Sequence, residues 1–386
     1  MTRSVLAIGL MSGTSCDGVD AALVRITEID ASLQVEELGF LTVAYEEAVR
    51  ERLLVLAKGS EGGSRELCLM DGLLGSLFAE AALAVCAKAG VDSSHIDLIG
   101  THGHTFHHLP TSVDYLGHQV RSTLQLGQSC FLSEHFSCPV ISDFRPRDLV
   151  AGGQGAPLVP FTEYLLYRQE GVCIGLLNVG GIANLTILPP SANLDEVVAF
   201  DTGMGNMVLD ALVSQETRGA MRFDEGGKLA LQGRVDEKLL SWMERTDTYL
   251  PLPLPKSTGR ELYGSEYVTC LCTEAKQRGV VFVDLLRTTT QFIARCVQRS
   301  VERFSPAKLD RLLVGGGGSH NLALLSALAE ELKTEVFTQE QVGCNSDSKE
   351  AVAFALLAYE TLEGRPNNLL GATGARHRVV MGKVQR

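Results

Sequence analysis

The feature that most constrains this chain is an arrangement that occurs twice. An apolar run, Val5 to Leu10, leads into the glycine-containing turn Met11-Ser-Gly-Thr-Ser-Cys-Asp-Gly18, and a second apolar run, Val19 to Ile26, follows at once. Val172 to Leu177, the turn Asn178-Val-Gly-Gly-Ile-Ala-Asn184 and Leu185 to Leu188 repeat the order with different residues. Strand, glycine turn and strand, placed at the start of each half, predict duplicated α/β halves facing each other across a cleft. Helical periodicity over Glu46 to Ala57 and Arg65 to Ala89, then a strand over Ile96 to Thr101, supports an α/β sheet. We expect the change of domain in the polar stretch Val140 to Pro160. A first domain then takes 1–141 with about 365–386, and a second takes 142–364.

The first turn is neither a P-loop nor a dinucleotide fingerprint, because both require their glycines to open a helix. It offers hydroxyls, backbone N–H groups and one carboxylate. That chemistry suits nucleotide phosphates, with Gly13 and Gly18 permitting close approach and Asp17 able to hold magnesium. A third glycine cluster, Gly315-Gly-Gly-Gly318, follows an apolar strand and precedes a helix over Asn321 to Leu332. Close packing and contact with a flat ligand both explain four glycines there.

Other candidates are single side chains. Asp201 ends the run Val197 to Phe200 and opens Asp-Thr-Gly-Met-Gly-Asn206, so it reads equally as a cleft-facing carboxylate and as a helix N-cap. A linker is the bland reading of the block Asp143 to Pro160, but two arginines and two aspartates are more than a flexible spacer needs, and Arg145 can offer a forked donor to a carboxylate or a pair of hydroxyls, so a site is the favoured reading. His102, His104, His107 and His108 lack acidic partners at metal-ligand spacing, and strand-end histidines more often bond a ligand or the backbone. Glu350 stands in the first turn of an almost wholly apolar helix reaching Leu362, where the helix dipole favours its charge. Lys256-Ser-Thr-Gly-Arg-Glu261 either lines the same cleft or caps a helix.

Composition removes other classes. With 34 Lys and Arg against 46 Asp and Glu the net charge is −12, which repels a polyanion, so nucleic acid is not an expected partner. Ten cysteines contain no CxxC pair and read as thiols of a reducing, cytoplasmic compartment. No run approaches the roughly 18 uninterrupted apolar residues of a membrane helix. These features together describe a phosphotransferase.

The blocks Met11 to Asp20, Asp143 to Pro160, Asn178 to Asn184, Asp201 to Asn206, Pro255-Lys-Ser-Thr-Gly-Arg260 and Val314 to Gly318 closely resemble, in order, those of the anhydro-N-acetylmuramic acid kinase family. The resemblance runs from Ile8 to Ala375. It implies two duplicated actin-like ATPase (ribonuclease H-like) domains flanking a catalytic cleft. It also implies an enzyme that uses ATP and Mg2+ to open the ring of 1,6-anhydro-N-acetylmuramic acid and phosphorylate its 6-oxygen, and that forms a homodimer. Asp201 matches the family's catalytic aspartate. Gly13, Thr14, Ser15, Cys16, Asp17, Gly18, Val19 and Asp20 match its phosphate loop, with Asp17 the expected magnesium ligand. Gly180, Gly181, Gly315, Gly316 and Gly317 fall in the other ATP-binding turns, and His102, Asp143, Arg145 and Glu350 at the sugar. Three residues depart from the family pattern: Met204 replaces Pro, His104 replaces Gln, and Gln128 replaces Asp. His104 and Gln128, if near the sugar, leave open a levoglucosan kinase. A catalytically silent sugar or nucleotide sensor on the same fold is the alternative from another class.

Overall fold

The structure is a computed structural model that describes residues 3–13, 15–30, 32–57 and 62–386. Two compact units divide the chain: 1–166 with 347–386, and 167–346.

In the first unit, β1 (Arg3–Ser12), β2 (Gly18–Ile29) and β3 (Ser32–Ala44) form an antiparallel meander. β4 (Leu98–Tyr115) then pairs parallel with β1 and continues into a hairpin with β5 (His118–Leu126), while β6 (Val140–Ser142) pairs parallel with β4. The second unit repeats this order. β7 (Ile174–Val179), β8 (Ile182–Leu188) and β9 (Val198–Met204) form the meander, and β10 (Arg311–Gly315) and β11 (Glu335–Thr338) add on β7's other side, parallel to it. The last strand, β12 (Lys383–Gln385), returns antiparallel to β6. The sheet orders β3-β2-β1-β4-β6 and β9-β8-β7-β10-β11 are therefore equivalent. This is the ribonuclease H-like arrangement used twice by actin-like folds, and it agrees with the repeated openings in the sequence.

Each unit has its own core. In the first, Ile8, Leu10, Leu23 and Ile99 pack against Leu74, Phe78 and Val85 of the helix Ser64–Ala89. Among the described residues this is the one helix long and apolar enough to cross a membrane. Its buried residues belong to that core, whereas Leu69 and Leu73 are exposed. In the second unit, Leu177, Leu185 and Val314 pack against Phe292, Ile293 and Val297 of the helix Phe282–Phe304.

The unit boundaries differ from the expected 142 and 364. The block from Asp143 to Pro160 is no linker, because Phe144–Val150 is a helix whose Asp148 is completely buried. Asp148 accepts hydrogen bonds from Gly155 N (2.8 Å), Asn368 Nδ2 (2.9 Å) and Thr373 Oγ1 (2.8 Å), which ties the block to the C-terminal segment. The helix Lys349–Leu362, buried from Ala351 to Thr361, also belongs to the first unit, where it crosses β1 and β4. Two glycines allow that crossing: a Cβ on Gly9 would stand 1.8 Å from Ala351 O, and one on Gly100 would stand 2.0 Å from Phe354 O.

Candidate functional site

The first unit holds the turn between β1 and β2. Thr14 lies outside the described residues. Cys16 N–H donates to Gly13 O (3.1 Å) and Cys16 takes a left-handed φ of 57°, so the chain doubles back before Asp17. Ser15 and Asp17 are exposed, and the Asp17 carboxylate lies 3.9 Å from Arg50 Nε. Gly18 and Val19 already belong to β2, as does Asp20, whose carboxylate accepts from Thr42 Oγ1 (2.6 Å). Burial raises the Asp20 pKa; the Thr42 bond opposes this, while Asp347 and Asp17 add to it.

A second group in this unit gathers His102, Arg145 and Glu350. His102 Nδ1–H donates to Gly103 O (2.9 Å), which leaves Nε2 to accept from Arg145 Nε (3.0 Å), and the ring packs on Phe354 with centroids 4.7 Å apart. Burial, reinforced by the Arg145 charge, holds His102 well below the usual histidine range, so the ring is neutral. Arg145 Nη1 donates to Gly155 O (2.6 Å), and burial pushes Arg145 down to about 10 against the supporting charge of Glu350. Solvent reaches Glu350, yet protein crowds it, and loss of hydration raises its pKa against Lys349 and Arg145. Asp143, at φ 52°, instead bonds Lys383 Nζ (2.7 Å).

In the second unit, Asp201 lies within β9, not at its end. The helix Asn206–Glu216 has Gly205 in the N-cap position, so the capping alternative for Asp201 does not hold. Asp201 Oδ2 accepts from Thr258 N (2.9 Å), its carbonyl accepts from Tyr249 Oη (3.0 Å), and Oδ1 has no partner among the described residues. Burial raises its pKa; the Thr258 bond and Lys256 pull it back, and Glu261 pushes with burial. Lys256 is buried, with Nζ 4.5 Å from the Tyr249 ring centre, and burial lowers its pKa.

Gly180, Gly181 and Gly315 to Gly317 gather at one end of β7 and β10. Gly180 O accepts from Asn206 N (2.7 Å), and Gly181 O accepts from Gly205 N (2.9 Å). Gly316 has φ 73°, and a Cβ there would stand 2.7 Å from Asn178 Oδ1, so tight packing against β7 alone already requires this glycine.

Three positions take unexpected places. His104 is buried beneath the first turn, with Nδ1 3.1 Å from Ser12 Oγ and Nε2 3.9 Å from Cys16 Sγ. Gln128 is exposed and bonds Asp71 Oδ2 (2.7 Å), and Met204 lies in the second core. The sequence counts Ser12 among the hydroxyls of the turn, whereas Ser12 ends β1; Tyr45 carries no signal, because only β-pairing brings it to a turn about 30 residues earlier. Lys256 and Thr258 were recognisable as a charged glycine turn whose partner was not apparent.

Two sheets of equivalent order, glycine turns at strand ends and a carboxylate oxygen with no partner among the described residues define a duplicated α/β enzyme of the actin-like class. The anhydro-N-acetylmuramic acid kinase family model matches residues 5–386. An anhydro-N-acetylmuramic acid kinase of Caldanaerobacter subterraneus subsp. tengcongensis is 46% identical over 382 residues, which cover 98% of this chain and 96% of that protein. The one from Clostridioides difficile (strain 630) is 38% identical over 381 residues, 98% of this chain and 97% of the other. The chain belongs to the anhydro-N-acetylmuramic acid kinase family. Among solved structures, the activator of the 2-hydroxyisocaproyl-CoA dehydratase from Clostridium difficile aligns at TM-score 0.43 and 13% identity, covering 93% of this chain and 96% of that one.

Proposed function

We propose that the protein is the kinase its family name describes, acting on 1,6-anhydro-N-acetylmuramic acid in cell-wall amino-sugar recycling. Water adds to the anomeric carbon, the bond from that carbon to the bridging 6-oxygen breaks, and this oxygen takes the γ-phosphoryl group of ATP. The products are N-acetylmuramic acid 6-phosphate and ADP. Asp201 accepts the proton of the attacking water. The observation that carries this role is the Asp201 carboxylate itself: Thr258 N–H fixes Oδ2, Oδ1 has no partner among the described residues, and burial raises its proton affinity.

The turn from Gly13 to Asp20, including Ser15, Cys16, Gly18 and Val19, binds the ATP phosphates. Gly180, Gly181 and Gly315 to Gly317 accommodate the nucleoside. His102, Asp143, Arg145 and Glu350 bind the sugar, with neutral His102 aligning the Arg145 fork. Asp17 suits magnesium, a hard cation commonly held by one or two carboxylates, phosphate oxygens and water. The described residues contain no group of three His, Cys, Asp or Glu that could hold a metal ion, and Asp17 would share the cation with ATP phosphate oxygens and water. Bound magnesium would offset phosphate charge. We place the enzyme in the cytoplasm, and as a homodimer whose mass light scattering tests.

The deciding experiment incubates the protein with ATP, Mg2+ and either 1,6-anhydro-N-acetylmuramic acid or levoglucosan, following ADP release and product mass. Conversion of the amino sugar to a product heavier by one water and one phosphoryl group is expected. Preference for levoglucosan would reassign the substrate. ADP release with neither sugar modified would overturn the reading.

A further inference from the structure

Beneath the first turn lies a buried polar chain that ends on the turn residue Cys16 and whose other members, Tyr45, Ser12 and His104, the proposed reaction does not use. Tyr45 Oη donates to Ser12 Oγ (2.8 Å), Ser12 Oγ lies 3.1 Å from His104 Nδ1, and His104 Nε2 lies 3.9 Å from Cys16 Sγ. Ser12 and His104 face each other in the parallel β1–β4 register, just after an irregularity in the pairing. Ser12, His104 and Cys16 are each almost wholly buried. Ser12 precedes the turn, and Cys16 is its left-handed residue. A left-handed non-glycine residue persists only where its surroundings hold it.

We infer that His104 is a positioning residue for this turn: gripping Ser12 on one side and Cys16 on the other, it sets the turn's shape and thereby the affinity for a nucleoside polyphosphate. The inference rests on the reading of the turn as a phosphate site. Tyr45 donates to Ser12 Oγ; in one neutral tautomer the Ser12 hydroxyl proton serves Nδ1 and Nε2–H points to the sulfur, and in the other Nδ1–H donates to Ser12 Oγ and Nε2 accepts from the thiol. In either tautomer the neutral ring bridges the turn with one donor and one acceptor. Burial keeps the ring neutral, since it lowers the His104 pKa. Glutamine can preserve this pattern, because its carboxamide presents an acceptor and a donor; leucine presents neither.

The test titrates ADP calorimetrically into full-length wild type, His104→Gln, His104→Leu and Tyr45→Phe, and measures the KM for ATP and for the sugar. His104→Leu is expected to weaken ADP binding and raise the ATP KM about tenfold, equivalent to about 1.4 kcal/mol, with the sugar KM unchanged. His104→Gln should stay close to wild type, and Tyr45→Phe should shift in the same direction as leucine by less. A folded His104→Leu that binds ADP like wild type overturns the inference, as does an equal loss in the Gln and Leu variants. Should the Leu variant fail to fold, wild-type ADP affinity in Tyr45→Phe has the same force. A wild type that binds ADP but phosphorylates no sugar refutes the kinase reading while the titrations still decide the role of His104. A wild type that binds no nucleotide refutes both.

Discussion

At the residue scale, Asp201 shows how one carboxyl is prepared as a base. Burial raises its pKa, and the Thr258 N–H and the Lys256 charge limit the rise. A base works only when ionised, so kcat/KM should fall as pH drops through this pKa, with its acid limb above the ordinary carboxylate position. Lys256→Met removes a group that favours the charge, and a pH–rate profile should show the limb moved to higher pH. Asp201→Asn retains an oxygen for Thr258 but no base, so kcat should fall roughly 10²–10⁴-fold while calorimetry still detects ADP binding. The sign for stability is opposite to that for activity. A raised carboxyl pKa means a contribution fully present at low pH and lost as pH rises through the folded value, so the Asn variant should melt no lower than wild type at neutral pH. The sequence marked Asp201 as a candidate through its glycine-rich setting. The capping alternative fell only when Gly205 proved to occupy the cap position.

At the element scale, the helix Lys349–Leu362 places Glu350 and, through Phe354, the His102 ring. Its apolar sequence announced a buried helix, and its bounds differ from the expected ones by a single residue. The sequence did not reveal that it lies directly on Gly9 and Gly100, since the contacts are with helix carbonyls that any sequence possesses. Gly100→Ala forces backbone apart and should cost about 1–3 kcal/mol or more, read by urea denaturation, with a raised sugar KM. Gly9→Ala should behave similarly. β3 and the β4–β5 hairpin went unread for another reason: beyond the first half of β4 their residues are largely half-buried or exposed, so little apolar contrast marks the strands.

At the scale of the whole molecule, one unit is continuous in sequence and the other is assembled from both ends of the chain. The core of the second unit lies wholly within 167–346. That segment expressed alone should show a cooperative thermal transition by circular dichroism. Residues 1–166 alone lack the helix that covers Gly9 and Gly100, and should show none unless 347–386 is co-expressed; an equally cooperative transition of 1–166 alone would refute this division. What the sequence by itself determined was local: two glycine turns between apolar strands, the buried C-terminal helix, the blocks that carry the family resemblance and a carboxylate beside glycines. These depend on chemistry contained in a dozen consecutive residues. Tertiary structure alone decided the unit boundary, the burial of Asp148 and the joining of Tyr45, Ser12, His104 and Cys16. Those outcomes depend on which distant segments become neighbours, and burial then changes the proton affinity and bonding of side chains whose identity stays the same.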